Sequence, residues 1–198
     1  MYINRYSESI MITTIRVLAF CFFSLSCQAE TSQSKHINAT TGAVTWETRA
    51  DGVYFGLTQI LPEQARAFYV NRGFSLEQIE AYSRSCVYMT VLRNDNAPGT
   101  IHFIRDSWSV LTNGKPHPLV SIDDWVNRLA QQTENRSALI AFRWAQFPPE
   151  LNYEPGGDWN QGMLSIGLPA GSRFDIIARW NIGDRQYAAK LQGVECAR

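Results

Sequence analysis

VYMTVLRNDNAPGTIHFIR, residues 87–105, decides the fold. Two runs of β-branched and aromatic residues, VYMTVLR and TIHFIR, flank NDNAPG, where Asn, Asp, Pro and Gly supply turn conformations. Strands joined by so short a connection are antiparallel material, since parallel neighbours need a crossover of a dozen residues or more. Working outward, SWSVLT follows and closes at Asn113 and Gly114, a hairpin turn signal. GVYFGLTQIL, residues 52–61, precedes as a long strand ending at a proline. The last third reads as β in ALIAFRWAQF, MLSIGL, RFDIIARWNI and QYAAKLQGVEC, with the final two runs joined by a turn at Gly183 and Asp184.

Helical signals are fewer. Pro62 opens PEQARAFYVNR, which ends at Gly73, and Ser75 with Gln78 forms a capping-box pair before SLEQIEAYSRSC. These two make an αα-hairpin with Cys86 on its buried side. A further short helix is expected at IDDWVNRLAQQ, capped by Ser121, with Asp123 and Asp124 at its positive N-terminal end. The fold class is therefore α+β: mainly an antiparallel β-sheet or sandwich with an αα-hairpin and one further short helix. Strict strand–helix alternation, which a parallel doubly wound sheet demands, is absent.

Residues 17–26, VLAFCFFSLS, form an uncharged apolar run after Arg16 and before SCQAE, the pattern of a secretory signal at residues 1–29. The run falls short of the roughly 20 apolar residues that span a bilayer. Cleavage after Ala29 gives a periplasmic protein with no transmembrane span in the mature chain. The alternative is a lipid anchor at Cys27 and a membrane-anchored lipoprotein, for which Ser24 stands where Leu is usual. Met11 offers a second start, directly before a more ordinary basic region. Residues 30–43, ETSQSKHINATTGA, are polar and read as a flexible leader to a single globular domain at 44–198.

Export leaves Cys86 and Cys196 as the only cysteines, and an even pair in an exported chain reads as one disulfide. No C-x-x-C motif and no adjacent histidine suggests redox or metal chemistry at either. Counted from Glu30, 16 basic residues face 17 acidic ones, and the arginines are scattered, so no nucleic-acid partner is expected. Fifteen arginines against three lysines reflect either planar pairing with carboxylates and aromatic faces or the base composition of the genome.

FPPELNYEPGGDWNQG, residues 147–162, carries two prolines and then Pro155, Gly156 and Gly157, and reads as a long irregular loop. Glu150, Glu154 and Asp158 are oxygen donors suited to a hard cation, but their spacing is not that of an EF-hand. Tyr153 and Trp159 offer faces for a sugar or apolar ligand, and the glycine pair allows close backbone approach. The competing expectation is a plug, with these aromatics closing the open end of the sheet. Arg143, with small neighbours Ala141 and Ala145 in the presumed strand LIAFRWAQF, faces either a ligand or Asp175 on an adjacent strand. His102 with Met89 and Met163 makes the weakest candidate, a soft copper-type metal site. No serine stands in a nucleophile elbow, no cofactor motif is present, and no cofactor is implied.

The runs FYVNRGFSLEQIEAYSRSC, RNDNAPGTIHFIRDSW, AFRWAQFPPE and PGGDWNQGMLSIGLPAGSRFDIIARW resemble those of exported, periplasmic bacterial proteins of uncharacterised function. The resemblance implies a bacterial periplasmic setting and carries no activity. The sequence points to a non-enzymatic binding or accessory protein of an envelope system, with an unknown small molecule or envelope protein as partner. The alternatives are a hydrolase using the loop carboxylates, Glu150 and Asp158 foremost, and a copper-handling protein.

Overall fold

Strand β4 (Val87–Asn94) sends alternate side chains into two different cores. Tyr88 and Leu92 enter one apolar cluster, while Val87 enters another with Met89 packed against it. A strand that is apolar on both faces must be covered on both sides, and the remaining elements provide the covers. The computed structural model describes residues 32–198; the expected secretory signal at 1–29, with Cys27, lies outside them.

The first sheet contains β1 (Gln33–Ile37), β2 (Val44–Ala50), β3 (Val53–Gln59), β4 and β9 (Asp158–Ser165), paired antiparallel in the order β1-β2-β3-β4-β9. The second contains β5 (Ile101–Ile104), β6 (Ser109–Thr112), β7 (Lys115–His117), β8 (Glu150–Tyr153), β10 (Arg173–Ile182) and β11 (Arg185–Glu195). Its order is β7-β6-β10-β5-β8, with β11 on the other side of β10. Phe55, Leu57, Tyr88 and Leu92 of the first sheet share a core with Phe103, Phe174, Ile176, Trp180 and Leu191 of the second. Helices α1 (Pro62–Val70), α2 (Leu76–Ser83), α3 (Ile122–Ala130) and α4 (Arg136–Ala145) cover the first sheet's outer face. There Tyr69, Tyr82, Trp125 and Phe142 pack over Val87 and Met163. The layers run helices, sheet, sheet, and the expected α+β sandwich is what forms.

Local signals were placed correctly. Ser75 accepts from the Gln78 N–H, Ser121 from the Asp124 N–H, and the turns at 113–114 and 183–184 close the β6–β7 and β10–β11 hairpins. The NDNAPG turn has a different role from a hairpin's. It carries the chain from β4 in one sheet to β5 in the other, and Asn94 organises the crossing. Its amide donates to the carbonyls of Gly99 (3.0 Å) and Tyr153 (2.9 Å) and accepts from the Ala97 N–H (3.0 Å).

Three expectations are corrected. ALIAFRWAQF is a helix, not a strand: Asn135 caps α4 by accepting from the Ala138 N–H, and Ala, Leu and Arg favour a helix once the cap starts it. The polar leader is ordered in part, because β1 pairs along its whole length with β2. It needs no apolar residues to do so: the Gln33 amide bonds to the Gln192 backbone, and Ser34 and His36 reach the Glu47 carboxylate. The third correction is the 147–162 span, which holds β8, a four-residue turn and β9 where an irregular loop was expected. Gly162 lets β9 pass under residues 146–147, where a Cβ would collide with the Phe147 backbone.

Cys86, between α2 and β4, is bonded to Cys196, just beyond β11, with 5.1 Å between the Cα atoms. The bridge ties the helix-covered sheet to the far end of the other one, across a sequence separation of 110 residues. The chain-entropy model assigns about 4–5 kcal/mol to a closure of that length. No helix among the described residues is long and apolar enough to cross a membrane.

Candidate functional site

The β8–β9 segment engages each of its carboxylates locally. Glu150 Oε1 lies 2.7 Å from His102 Nε2 on neighbouring β5, Glu154 accepts from the Thr100 hydroxyl at 2.7 Å, and Asp158 accepts from the Glu154 N–H at 3.1 Å. Four residues of extended chain, about 13 Å at 3.3 Å per residue, separate Glu150 from Glu154, which holds Asp158. The three carboxylates are thus strung along the segment. Gly156 and Gly157 have positive φ, and their N–H groups donate to the carbonyls of Asp95 (3.2 Å) and Asn94 (2.7 Å). They serve to dock this turn on the NDNAPG turn.

The two aromatics divide. Tyr153 is a plug, buried against Phe103 with ring centroids 5.6 Å apart, and burial pushes its phenol well above the usual tyrosine range, with Asp158 adding to the shift. Its hydroxyl is buried without a partner. Trp159 is 49% exposed on the outer face of the first sheet. It stands in a cross-strand row, Arg49–Tyr54–Arg93–Trp159, set by the registers of β2, β3, β4 and β9. The Arg49 and Arg93 guanidiniums lie 5.0 and 4.9 Å from the Tyr54 ring centre, and Asp95 pairs with both arginines. Tyr54 donates to Glu47 at 2.9 Å; burial first, then that bond, push its phenol up to about 12. Burial works against ionisation of Glu47, yet the bonds from Tyr54, Ser34 and His36 outweigh it and hold the carboxyl below its ordinary range.

His102, Met89 and Met163 are not brought together. Met89 and Met163 face each other across β4 and β9 under the helices, where the Tyr69 hydroxyl donates to the Met163 sulfur at 3.2 Å. That sulfur ends a buried chain in which Tyr82 donates to Gln146 and Gln146 donates to Tyr69. His102 sits on the outward face of the other sheet, between inward-facing Ile101 and Phe103. Both sheets intervene. Among the described residues no three His, Cys, Asp or Glu side chains gather as metal ligands would.

Arg143 has a different setting from the one expected. It lies on α4 and donates to Asp123 of α3 at 2.7 Å, while Asp175 is held by Lys190 (2.8 Å) and the Gly193 N–H (2.9 Å). The change from strand to helix moves its neighbours too. In a strand Ile140, Phe142 and Trp144 would share one buried face. As a helix, α4 turns Ala138 and Phe142 inward, and Ile140 and Trp144 outward at 58% and 84% exposure. With Val126 and Leu139 they line an open groove of about 320 Å³ flanked by Arg136 and Arg143. The apolar residues at 140, 142 and 144 alternate as a strand's do, which hides the helical period of about 3.6 that turns Ile140 and Trp144 outward.

The chain matches no protein-family model, no curated protein and no solved structure.

Proposed function

We propose that the protein is a non-enzymatic binding or accessory module of a bacterial cell envelope, and that the α3–α4 face is its contact surface. The observation that carries this reading is the aligned exposure of Ile140 and Trp144 beside an apolar groove. A tryptophan left this open brings little to the stability of its own fold, whereas Trp, Arg and large aliphatics in a groove are the composition of binding hot spots. The polar groups of the β8–β9 segment are spent on their own surroundings, chiefly β5 and the NDNAPG turn, so the segment has less to offer a ligand.

Export is part of the proposal. The Cys86–Cys196 disulfide suits an oxidising compartment, and the apolar run at 17–26 suits a signal that delivers the chain there. Two measurements test the reading. Thiol trapping of the protein recovered from the envelope should find no alkylatable cysteine; two free thiols remove the exported setting. A photo-crosslinking residue at position 144 of the full chain should give adducts in cells while the same residue at position 185, in the β10–β11 turn, gives none. Equal yields at both positions would refute the contact face.

A further inference from the structure

From the chemistry of the outer face of α4, we infer that the occupant of the α3–α4 groove is a second copy of this chain, bound about a two-fold axis through Ile140. The inference rests on the contact face proposed above. Arg136, Ile140 and Trp144 follow one another at intervals of four residues and form a single ridge along α4, with Ile140 at its centre. The ridge is complementary to itself when reversed. Placed antiparallel on its own copy, Ile140 meets Ile140, and Arg136 of each chain meets Trp144 of the other.

Each of those contacts answers a need left open in the single chain. Arg136 has no ion-pair partner among the described residues, and Trp144 presents its indole to solvent. A guanidinium over an indole face is the strongest common cation–π pairing and forms twice in this arrangement. The parallel alternative sets Arg136 against Arg136 and is disfavoured by like charge. The indole from the second copy then enters the groove between Val126 and Leu139, beside Arg136. An anionic membrane suits the face less well, because Asp123 and Asp124 are exposed on the adjoining helix.

The contact involves one short helix and one groove from each copy, a small patch beside the roughly 1,200 Å² or more that stable interfaces bury, so a weak, concentration-dependent dimer is expected. Helix axes 8–10 Å apart, less two Cα radii of about 2.3 Å, leave about 3.4–5.4 Å between the Cα atoms of the paired residues 140, a range whose wider half lies within disulfide reach. The native cysteines are already bonded to each other and do not interfere.

The test uses the disulfide-intact protein. Under mild oxidation I140C should cross-link to itself. R136C or W144C alone should not, whereas their equal mixture should give the mixed dimer. Sedimentation at rising concentration should show self-association that Ile140→Asp weakens at least about tenfold, a change of roughly 1.4 kcal/mol or more, with its melting temperature unchanged because the site is exposed. A protein that stays monomeric, or an I140C yield no greater than that of R185C, overturns the inference. The position-144 photo-adduct separates the two levels. An adduct with another protein overturns the second copy and keeps the contact face; absence of any adduct overturns both.

Discussion

The β8–β9 segment and helix α4 are opposites in how residue type relates to use. The first gathers three carboxylates, two aromatics and a glycine pair, and nearly all of them are bonded to their own surroundings. The second is a short helix of ordinary composition, and its outer ridge leaves an aliphatic, an indole and a guanidinium without partners. A residue type capable of chemistry marks a site only where its bonding capacity is unspent.

Substitutions across α4 should sharpen that contrast most. Phe142→Ala, which opens a cavity among Tyr69, Tyr82 and Trp125, should cost about 3–5 kcal/mol in urea denaturation, whereas Trp144→Ala should stay within about 0.5 kcal/mol. Equal losses would mean that Trp144 belongs to the fold. In the other region, Gly162→Ala should cost about 1–3 kcal/mol, because the added methyl meets the Phe147 backbone, which cannot swing aside as a side chain would.

Tyr153→Phe removes a buried hydroxyl that has no partner, and should be neutral or stabilising by up to about 1 kcal/mol. It should also change the alkaline limb of stability. The folded-state pKa of Tyr153 is raised by burial, then by Asp158, so its neutral form is favoured in the fold. That contribution is complete below the ordinary tyrosine value near 10 and is lost as pH rises above it. The phenylalanine variant should therefore lose stability less steeply above about pH 10, as chemical denaturation at stepped pH would record. A steeper loss would place the hydroxyl in a bond that stabilises its ionised form. Smallest of all, Glu150→Gln should alter stability by less than about 1 kcal/mol, since its pairing with His102 is exposed. A larger loss would show that the segment depends on this ion pair.

Much of the fold was legible because it is local. A serine before a helix, an Asn-Gly turn, a Gly-Asp turn and an even pair of cysteines each act within their own neighbourhood or by simple counting. The LIAFRW run was not legible in this way, since Ile140, Phe142 and Trp144 satisfy a strand period while Ala138, Phe142 and Ala145 satisfy a helical one. Asn135 decided between them through a bond to Ala138 that composition does not reveal. β8 and the first half of β9 were hidden for another reason: the two strands belong to different sheets, so no sequence neighbour advertises them, whereas the end of β9 was legible in MLSIGL. Arg143 was visible as a candidate, but its partner depended on the helix. The Arg49–Tyr54–Arg93–Trp159 row required three strand registers at once.

The clasp between Cys86 and Cys196 also fixes how the molecule would bear a mechanical load. A pull between the amino-terminal strand and the tail passes from residue 196 straight to residue 86, so the 110-residue span between them carries none of it. Roughly 360–400 Å of contour is withheld from extension, and only the segment from β1 to α2 can pay out. A tether attached at either end would therefore tug on the β1–β3 sheet edge and the first helix pair, and because Tyr69 and Tyr82 pack against Phe142 and Trp125, the α3–α4 face keeps its footing only while that pair holds.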